Sequence, residues 1–223
     1  MLSEKYRPKT WDDLVGQPKA VSKVRRIIEA PSFDRGAFWI EAAGDANSGI
    51  GKSSLAWLIA GYLASDFFVT HLDGSKCDKD GVREVERAVR VKTWSTDKPF
   101  KVWIVDEAHA MTNGAVDAWL TVLDPMPIHL GVVFTTTRRV DEGLFGTDCG
   151  PFGSRCHRVS LTNQGIAEPM AQRVVDIALT ESLADPNVPR DDLVARALKL
   201  VRAKRNNMRA TLMEVESGAM LEE

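Results

Sequence analysis

An α/β fold, a parallel sheet with helices on both faces followed by a small all-helical domain, is what the sequence predicts, and three observations carry that expectation. Short apolar runs beginning at Ala37, Phe67, Lys101 and His129 alternate with stretches of helical spacing, the pattern of repeated strand–helix crossovers. The run Val102-Trp103-Ile104-Val105 places four apolar residues in succession, which suits a strand buried on both faces of a parallel sheet. After Leu161 the alternation stops and only helical periodicity remains. The expected domains are therefore 1–160 and 161–223.

Taken in order, the chain opens on Glu4-Lys5-Tyr6-Arg7-Pro8-Lys9 and then Trp11-Asp12-Asp13-Leu14-Val15-Gly16. Pro8 restricts its own backbone and that of the residue before it, so an extended arm is expected here, not a helix. A helix follows with Pro18 in its first turn. Ala20, Val24, Ile27 and Ile28 form its apolar side, and Lys19, Lys23 and Arg26 a second stripe read as solvated.

Between the strand that starts at Ala37 and the helix-forming Ser54-Leu55-Ala56-Trp57-Leu58-Ile59-Ala60 lies Ala46-Asn47-Ser48-Gly49-Ile50-Gly51-Lys52-Ser53. Two glycines at a strand-to-helix turn let backbone N–H groups face inward at a helix N-terminus, where donors and dipole favour a polyanion. Lys52 adds a cation for terminal phosphates, and the Ser53 hydroxyl is a ligand for the accompanying Mg²⁺. Asn47, Ser48, Gly49, Ile50, Gly51 and Ser54 complete the expected cradle for ATP. Ala46 stands where the strict pattern has its first glycine, with Gly44 two residues earlier. A plain structural turn is the bland alternative.

The strand beginning at Phe67 feeds a loop and then a helix with Val82, Val85 and Val89 on one side and Arg83, Arg87 and Arg90 on the neighbouring one. Stacked arginines suit successive phosphates of a nucleic-acid strand, and a solvated face with local ion pairs competes with that reading. The strand from Lys101 ends in Asp106 and Glu107, at the sheet edge where ligands of parallel folds bind. Asp106 is expected to hold Mg²⁺ through water, and Glu107 to orient or deprotonate the water attacking the γ-phosphate. A helix over 113–123 is stopped by Pro125 and Pro127. The next strand ends in Thr135-Thr136-Thr137, where a polar group can contact the γ-phosphate or the attacking water. From Arg138 to Gly153 the sequence is Gly-rich and reads as irregular.

Beyond Leu161, Met170, Val174, Ile177 and Ala178 mark one helix, and Leu193, Ala197, Leu200 and Val201 a second. Met208, Leu212 and Val215 mark a third, with Asn206 or Asn207 as cap and Arg209 in its first turn.

Composition bounds the function classes. The chain has 223 residues and a formal net charge of −2, so any nucleic-acid contact must come from local basic patches. The apolar stretches are too short and interrupted to span a bilayer and the N-terminus is charged, so a cytoplasmic protein without a membrane partner is expected, or a nuclear one in a eukaryote. Cys77, Cys149 and Cys156 lack paired spacing, which argues against a disulfide framework or zinc ribbon; a metal held by Cys149, Cys156 and His157 is not expected.

In the order Glu4-Lys5-Tyr6-Arg7-Pro8, Asp12-Asp13-Leu14-Val15-Gly16, the phosphate loop, Asp106-Glu107-Ala108-His109, Ser154-Arg155-Cys156 and Asn207-Met208-Arg209, the chain resembles the AAA+ ATPase subunits of sliding-clamp loaders. It is similar to the small subunits of replication factor C and to the bacterial and phage clamp-loader ATPases. The resemblance implies a P-loop AAA+ fold with a helical lid, and Arg155 as an arginine finger reaching the nucleotide of a neighbouring AAA+ subunit. It also implies Arg209 as the lid's sensor-2 arginine, Thr137 or Thr136 as sensor 1, and Tyr6, Arg7, Val15 and Gly16 beside adenine. The Arg83 helix falls where such loaders line their spiral with DNA-tracking residues. ATP-driven loading of a sliding clamp onto primer-template DNA is the implied function.

Two departures from that family stand out: a long segment before Arg155 containing Gly143, Gly146, Gly150 and Gly153, and a chain that ends without a collar domain. Two rivals remain, another DNA-associated AAA+ ATPase such as a helicase loader or motor, and a nucleotide-binding scaffold without turnover. The Asp-Glu-Ala-His string also occurs in RNA helicases, for whose second motor domain the chain has no room.

Overall fold

The computed structural model describes residues 1–43, 48–91, 93, 97–137 and 150–221. Asn47 and its neighbours Gly44 and Ala46 lie outside the described residues, as do Gly143, Gly146 and Cys149. The chain packs as two units, one of Met1–Pro18, Gly44–Gly51 and Thr162–Glu223, the other of Lys19–Ala43 and Lys52–Leu161. The arm and most of the phosphate loop, expected with the sheet, thus group with the C-terminal helices.

The second unit is built on a five-stranded sheet in the order β2-β3-β4-β1-β5, with β1 Gly36–Ala42, β2 Val69–Asp73, β3 Lys101–Asp106, β4 Leu130–Thr135 and β5 His157–Leu161. Among the described residues every ladder of this sheet is parallel. Strands buried on both faces need no alternation, and β1 and β4 are buried throughout, as their apolar runs require. Around the sheet stand α2 (Pro18–Ile28), α3 (Lys52–Leu63), α4 (Lys79–Val89), α5 (Asn113–Leu123) and the short α6 (Gly150–Arg155). On one side α3 packs against β1, β3 and β4. On the other, Val82 and Val85 of α4, Ala115, Trp119 and Val122 of α5, and Phe152 of α6 close over Trp39, Trp103, Val105, Val132 and Phe134. The lone buried carboxylate of this sheet among the described residues, Glu41, is met from β5 by Arg158 at 3.2 Å and Ser160 at 3.0 Å.

Two local expectations are corrected. Residues 150–153 are helical, not irregular, because Phe152 buries its ring against Trp39 and Phe134 at centroid distances of 5.4 and 4.9 Å. The strand expected from Phe67 begins at Val69, since Asp66–Phe68 forms a 3-10 turn that leaves Phe67 exposed.

The core contains a matched pair of indoles. Trp119 donates its Nε1–H to the Cys77 sulfur at 3.4 Å, whereas Trp39 Nε1 is buried with no partner among the described residues. An orphaned buried donor costs about 1–3 kcal/mol. Both Phe substitutions trim similar ring area, but only Trp39→Phe also removes that penalty. Urea unfolding is therefore expected to show Trp39→Phe costing about 1–2 kcal/mol less than Trp119→Phe; equal costs would mean that the Trp39 N–H is satisfied.

The first unit holds α7 (Ala167–Thr180), α8 (Arg190–Ala203) and α9 (Met208–Glu216), which pack pairwise. Its stripe residues Met170, Val174, Ile177, Leu193, Ala197, Val201, Leu212 and Val215 are buried. The arm is not wholly extended. Leu2–Lys5 forms a helical turn, α1, because Pro8 constrains nothing so far upstream while Leu2 gains burial beside α9 and its amide donates to Glu216 at 2.6 Å. No helix among the described residues is long and apolar enough to cross a membrane.

Candidate active site

In the sheet unit, the carboxyl edge and the start of α3 gather five of the sequence-predicted groups. Lys52 begins α3 and is buried, and burial pushes its ammonium below the ordinary range while the Glu107 and Asp106 carboxylates pull it back up. A buried cation facing two acids is a receptor for further negative charge. Ser53 follows, its hydroxyl 3.1 and 3.0 Å from the two oxygens of Asp106.

The threonine run then distributes one hydroxyl to each group at the end of β3. Thr135 donates to Asp106, Thr136 Oγ1 lies 3.2 Å from His109 Nδ1, and Thr137 donates to Glu107 Oε2 at 3.4 Å. Register explains this placement: Val105 pairs with Phe134, so the residues leaving the two strands stay side by side. His71 of β2 adds its Nε2 at 3.6 Å from Asp106.

Glu107 itself sits in the left-handed region at φ 52, an unfavourable conformation for a residue with a side chain. Gly74 accommodates that turn. A Cβ there would come within 2.3 Å of the Glu107 carbonyl oxygen, so the end of β2 can close against the acid pair only as glycine.

In the helical unit, the described part of the phosphate loop, Ser48 to Gly51, is gripped from two directions. Gly49 adopts φ 76, and a Cβ on it would come within 1.9 Å of Asn207 Oδ1. The Met208 amide at the start of α9 donates to the Gly49 carbonyl at 3.1 Å, with Asn207 capping α9 through Ala210. Arg209, next along, is exposed. On the arm side, buried Gln17 joins both backbone groups of Thr162, accepting from its amide at 3.0 Å and donating to its carbonyl at 2.8 Å. Leu14 packs on Gly51, and Gly16, at φ 76, on Ile166. Val15 is half-buried and Arg7 exposed. Tyr6 and Lys5 both donate to Glu181 just past α7.

Two predicted groups lie elsewhere in the sheet unit. Arg155, at the end of α6, forms a two-pronged pair with Asp124 at the end of α5, Nε to Oδ1 at 2.8 Å and Nη2 to Oδ2 at 3.0 Å, which holds the Asp124 carboxyl below its usual range. Arg83, Arg87 and Arg90 are all exposed; Arg83 bonds Asp80 at 3.0 Å, and Arg90 caps α4. Ser54 is half-buried in the first turn of α3. Sequence alone marks Thr135 only as one of a threonine run and His109 only as the end of the Asp-Glu-Ala-His string, and does not mark His71; their contacts arise when the strands pair.

A parallel sheet with this strand order, a Gly-rich loop leading into a lysine-headed helix and an acid pair at the end of β3, one strand removed from β1, define a P-loop fold of AAA+ type. Residues 46–144 match the family described as "ATPase family associated with various cellular activities (AAA)". The chain is 30% identical over 118 residues to the replication factor C small subunit of Methanosphaera stadtmanae, covering 52% of this chain and 35% of that protein. It is 26% identical over 160 residues to the DNA polymerase III subunit tau of Escherichia coli, covering 61% of this chain and 24% of that one. The chain thus spans about a third or less of these relatives' length. Among solved structures, the Thermotoga maritima RuvB Holliday junction branch migration motor superposes with a TM-score of 0.68 at 17% identity, over 95% of this chain and 64% of that one, which establishes likeness of fold. The chain thus has an AAA+-type fold, resembles the AAA family over residues 46–144, and is similar in sequence to replication factor C small subunits and DNA polymerase III tau and gamma subunits.

Proposed function

We propose that the protein is the ATPase subunit of a sliding-clamp loader, a cytoplasmic machine that uses ATP to place a ring clamp on primer-template DNA. The gathering of Lys52, Ser53, Asp106, Glu107 and Thr137 on one sheet edge, in a chain whose sequence relatives are replication factor C and DNA polymerase III subunits, is the observation that carries this reading. Lys52 neutralises terminal phosphate charge, and Thr137, as sensor 1, bears on the γ-phosphate end. Ser53 and Asp106, a hydroxyl and a carboxylate 3.0 Å apart, supply the hard oxygen donors that suit Mg²⁺. That ion, when bound, offsets the charge of the transferring phosphoryl group. Glu107 accepts the proton of the attacking water, and the bond broken is the phosphoanhydride between β- and γ-phosphates.

The rest of the reading follows the family resemblance. Asn47, Ser48, Gly49, Ile50, Gly51 and Ser54 cradle the phosphates, Tyr6, Arg7, Val15 and Gly16 face adenine, and Arg209 senses the nucleotide. Arg155 acts on the nucleotide of a neighbouring AAA+ subunit, while Arg83, Arg87 and Arg90 follow the DNA backbone.

The test is ATP turnover with a candidate ring clamp and DNA added singly and together. Stimulation that needs both the clamp and a primed template is expected, and stimulation by DNA structure without a clamp would favour another DNA-associated AAA+ motor. In the same assay, Arg83→Glu with Arg87→Glu is expected to weaken DNA binding at least tenfold and to lower its salt slope by about 2, leaving ATP binding intact. Unchanged DNA affinity would return α4 to the role of a solvated face.

A further inference from the structure

Glu107 is held by one oxygen. Its Oε2 lies 3.2 Å from His109 Nδ1 and accepts from Thr137 Oγ1 at 3.4 Å, while Oε1 has no partner among the described residues. The same Nδ1 also lies 3.2 Å from Oγ1 of Thr136, so one ring nitrogen faces both oxygens. Thr136 has no solvent exposure, and its amide donates to the Ile40 carbonyl at 3.0 Å, which ties it to strand β1. Such a chain of contacts matters here because Glu107 stands at φ 52 between β3 and the 3-10 turn Ala108–Ala110, where no helical or strand neighbour fixes its side-chain direction.

We infer that His109 is a positioning residue for hydrolysis: its Nδ1, set between Oγ1 of Thr136 and Oε2 of Glu107, holds Oε2 so that Oε1 is presented to the attacking water. With its proton on Nδ1, the one N–H stands between Oγ1 of Thr136 and Oε2 of Glu107, 3.2 Å from each, and Oε1 remains to accept the water's proton. A general base works only within hydrogen-bond reach of the proton it takes, so a carboxylate free to swing spends less time in range and turns over more slowly. Nucleotide affinity is untouched, because neither His109 nor Oε2 is among the groups assigned to the phosphates. This inference rests on Glu107 being the base.

Four variants of the full chain decide it, each measured for kcat and KM in ATP turnover and for equilibrium binding of a fluorescent ATP analogue. His109→Phe keeps a ring but no donor and is expected to lower kcat about tenfold with KM and analogue affinity within twofold of the parent, and His109→Ala the same. His109→Asn, whose amide nitrogen falls near the place of Nδ1, is expected to restore kcat to within about threefold of the parent. Glu107→Gln supplies the control. If Glu107→Gln stops turnover while His109→Phe leaves kcat within twofold, the His109 role is overturned and the reading of Glu107 stands. If His109→Asn falls as far as His109→Phe, or if KM and analogue affinity move together with kcat, the imidazole is only a packing element and the inference is overturned. If Glu107→Gln itself keeps parental turnover, the reading of the base fails and takes this role with it.

Discussion

Glu107→Gln is expected to reduce kcat for ATP hydrolysis by about 10²–10⁴-fold while leaving nucleotide affinity within about twofold. The substitution keeps shape and the capacity to accept from Thr137, but an amide cannot take a proton from water. Its described contacts are at Oε2, to Thr137 and His109, whereas the Ser53 hydroxyl meets Asp106. Lys52 is the contrast. It is buried, and on the proposed reading it is the cation that meets the phosphates, so Lys52→Ala is expected to lose binding as well as turnover. Single-turnover hydrolysis beside equilibrium binding of a fluorescent ATP analogue separates the two effects. Parental turnover in Glu107→Gln would remove Glu107 from the chemistry and favour the reading of a nucleotide-binding scaffold.

The strands and long helices were legible because their signals are local. Four apolar residues in a row at Val102-Trp103-Ile104-Val105 dictate a buried strand, and the stripes at Met170, Val174 and Ile177 or Leu193, Ala197 and Val201 dictate helices that bury one face. What sequence could not show is which groups face one another once distant segments pair. Thr135, Thr136 and Thr137 read as three interchangeable hydroxyls until the pairing of β3 with β4 gives Asp106, His109 and Glu107 one each. The contact of Met208 with Gly49 joins residues far apart in the chain, and Gln17 bridges the arm to Thr162 in the same way, which is why the arm and loop group with the helices. The helical turn at α1 was hidden for a related reason: its stabilisation comes from Leu2 against α9, not from its own four residues.

Arg155→Ala is expected to abolish the stimulated component of hydrolysis, a loss on the order of 10³–10⁵-fold, with ATP binding by the isolated chain unchanged. A guanidinium acting from outside stabilises charge that builds on the transferring phosphoryl group, so its removal is felt in turnover and not in the affinity of a site it does not line. Its present partner is instructive. Asp124 offers Arg155 a planar, two-oxygen anion at 2.8 and 3.0 Å, the same fork geometry that a phosphate offers, on a largely exposed residue where an ion pair is weak and screened by salt. In the proposed finger role Arg155 would exchange one anion for another at little cost, and Asp124→Ala is expected to change turnover by no more than about threefold. Mixing supplies the decisive measurement. Arg155→Ala chains retain a complete phosphate site but offer no finger, and Lys52→Ala chains offer a finger but hold no nucleotide, so a mixture is expected to recover part of the activity that each lacks separately. Absence of recovery in assemblies shown to contain both chains, or weakened ATP binding by isolated Arg155→Ala, would place Arg155 in its own protomer's chemistry and overturn the action in trans.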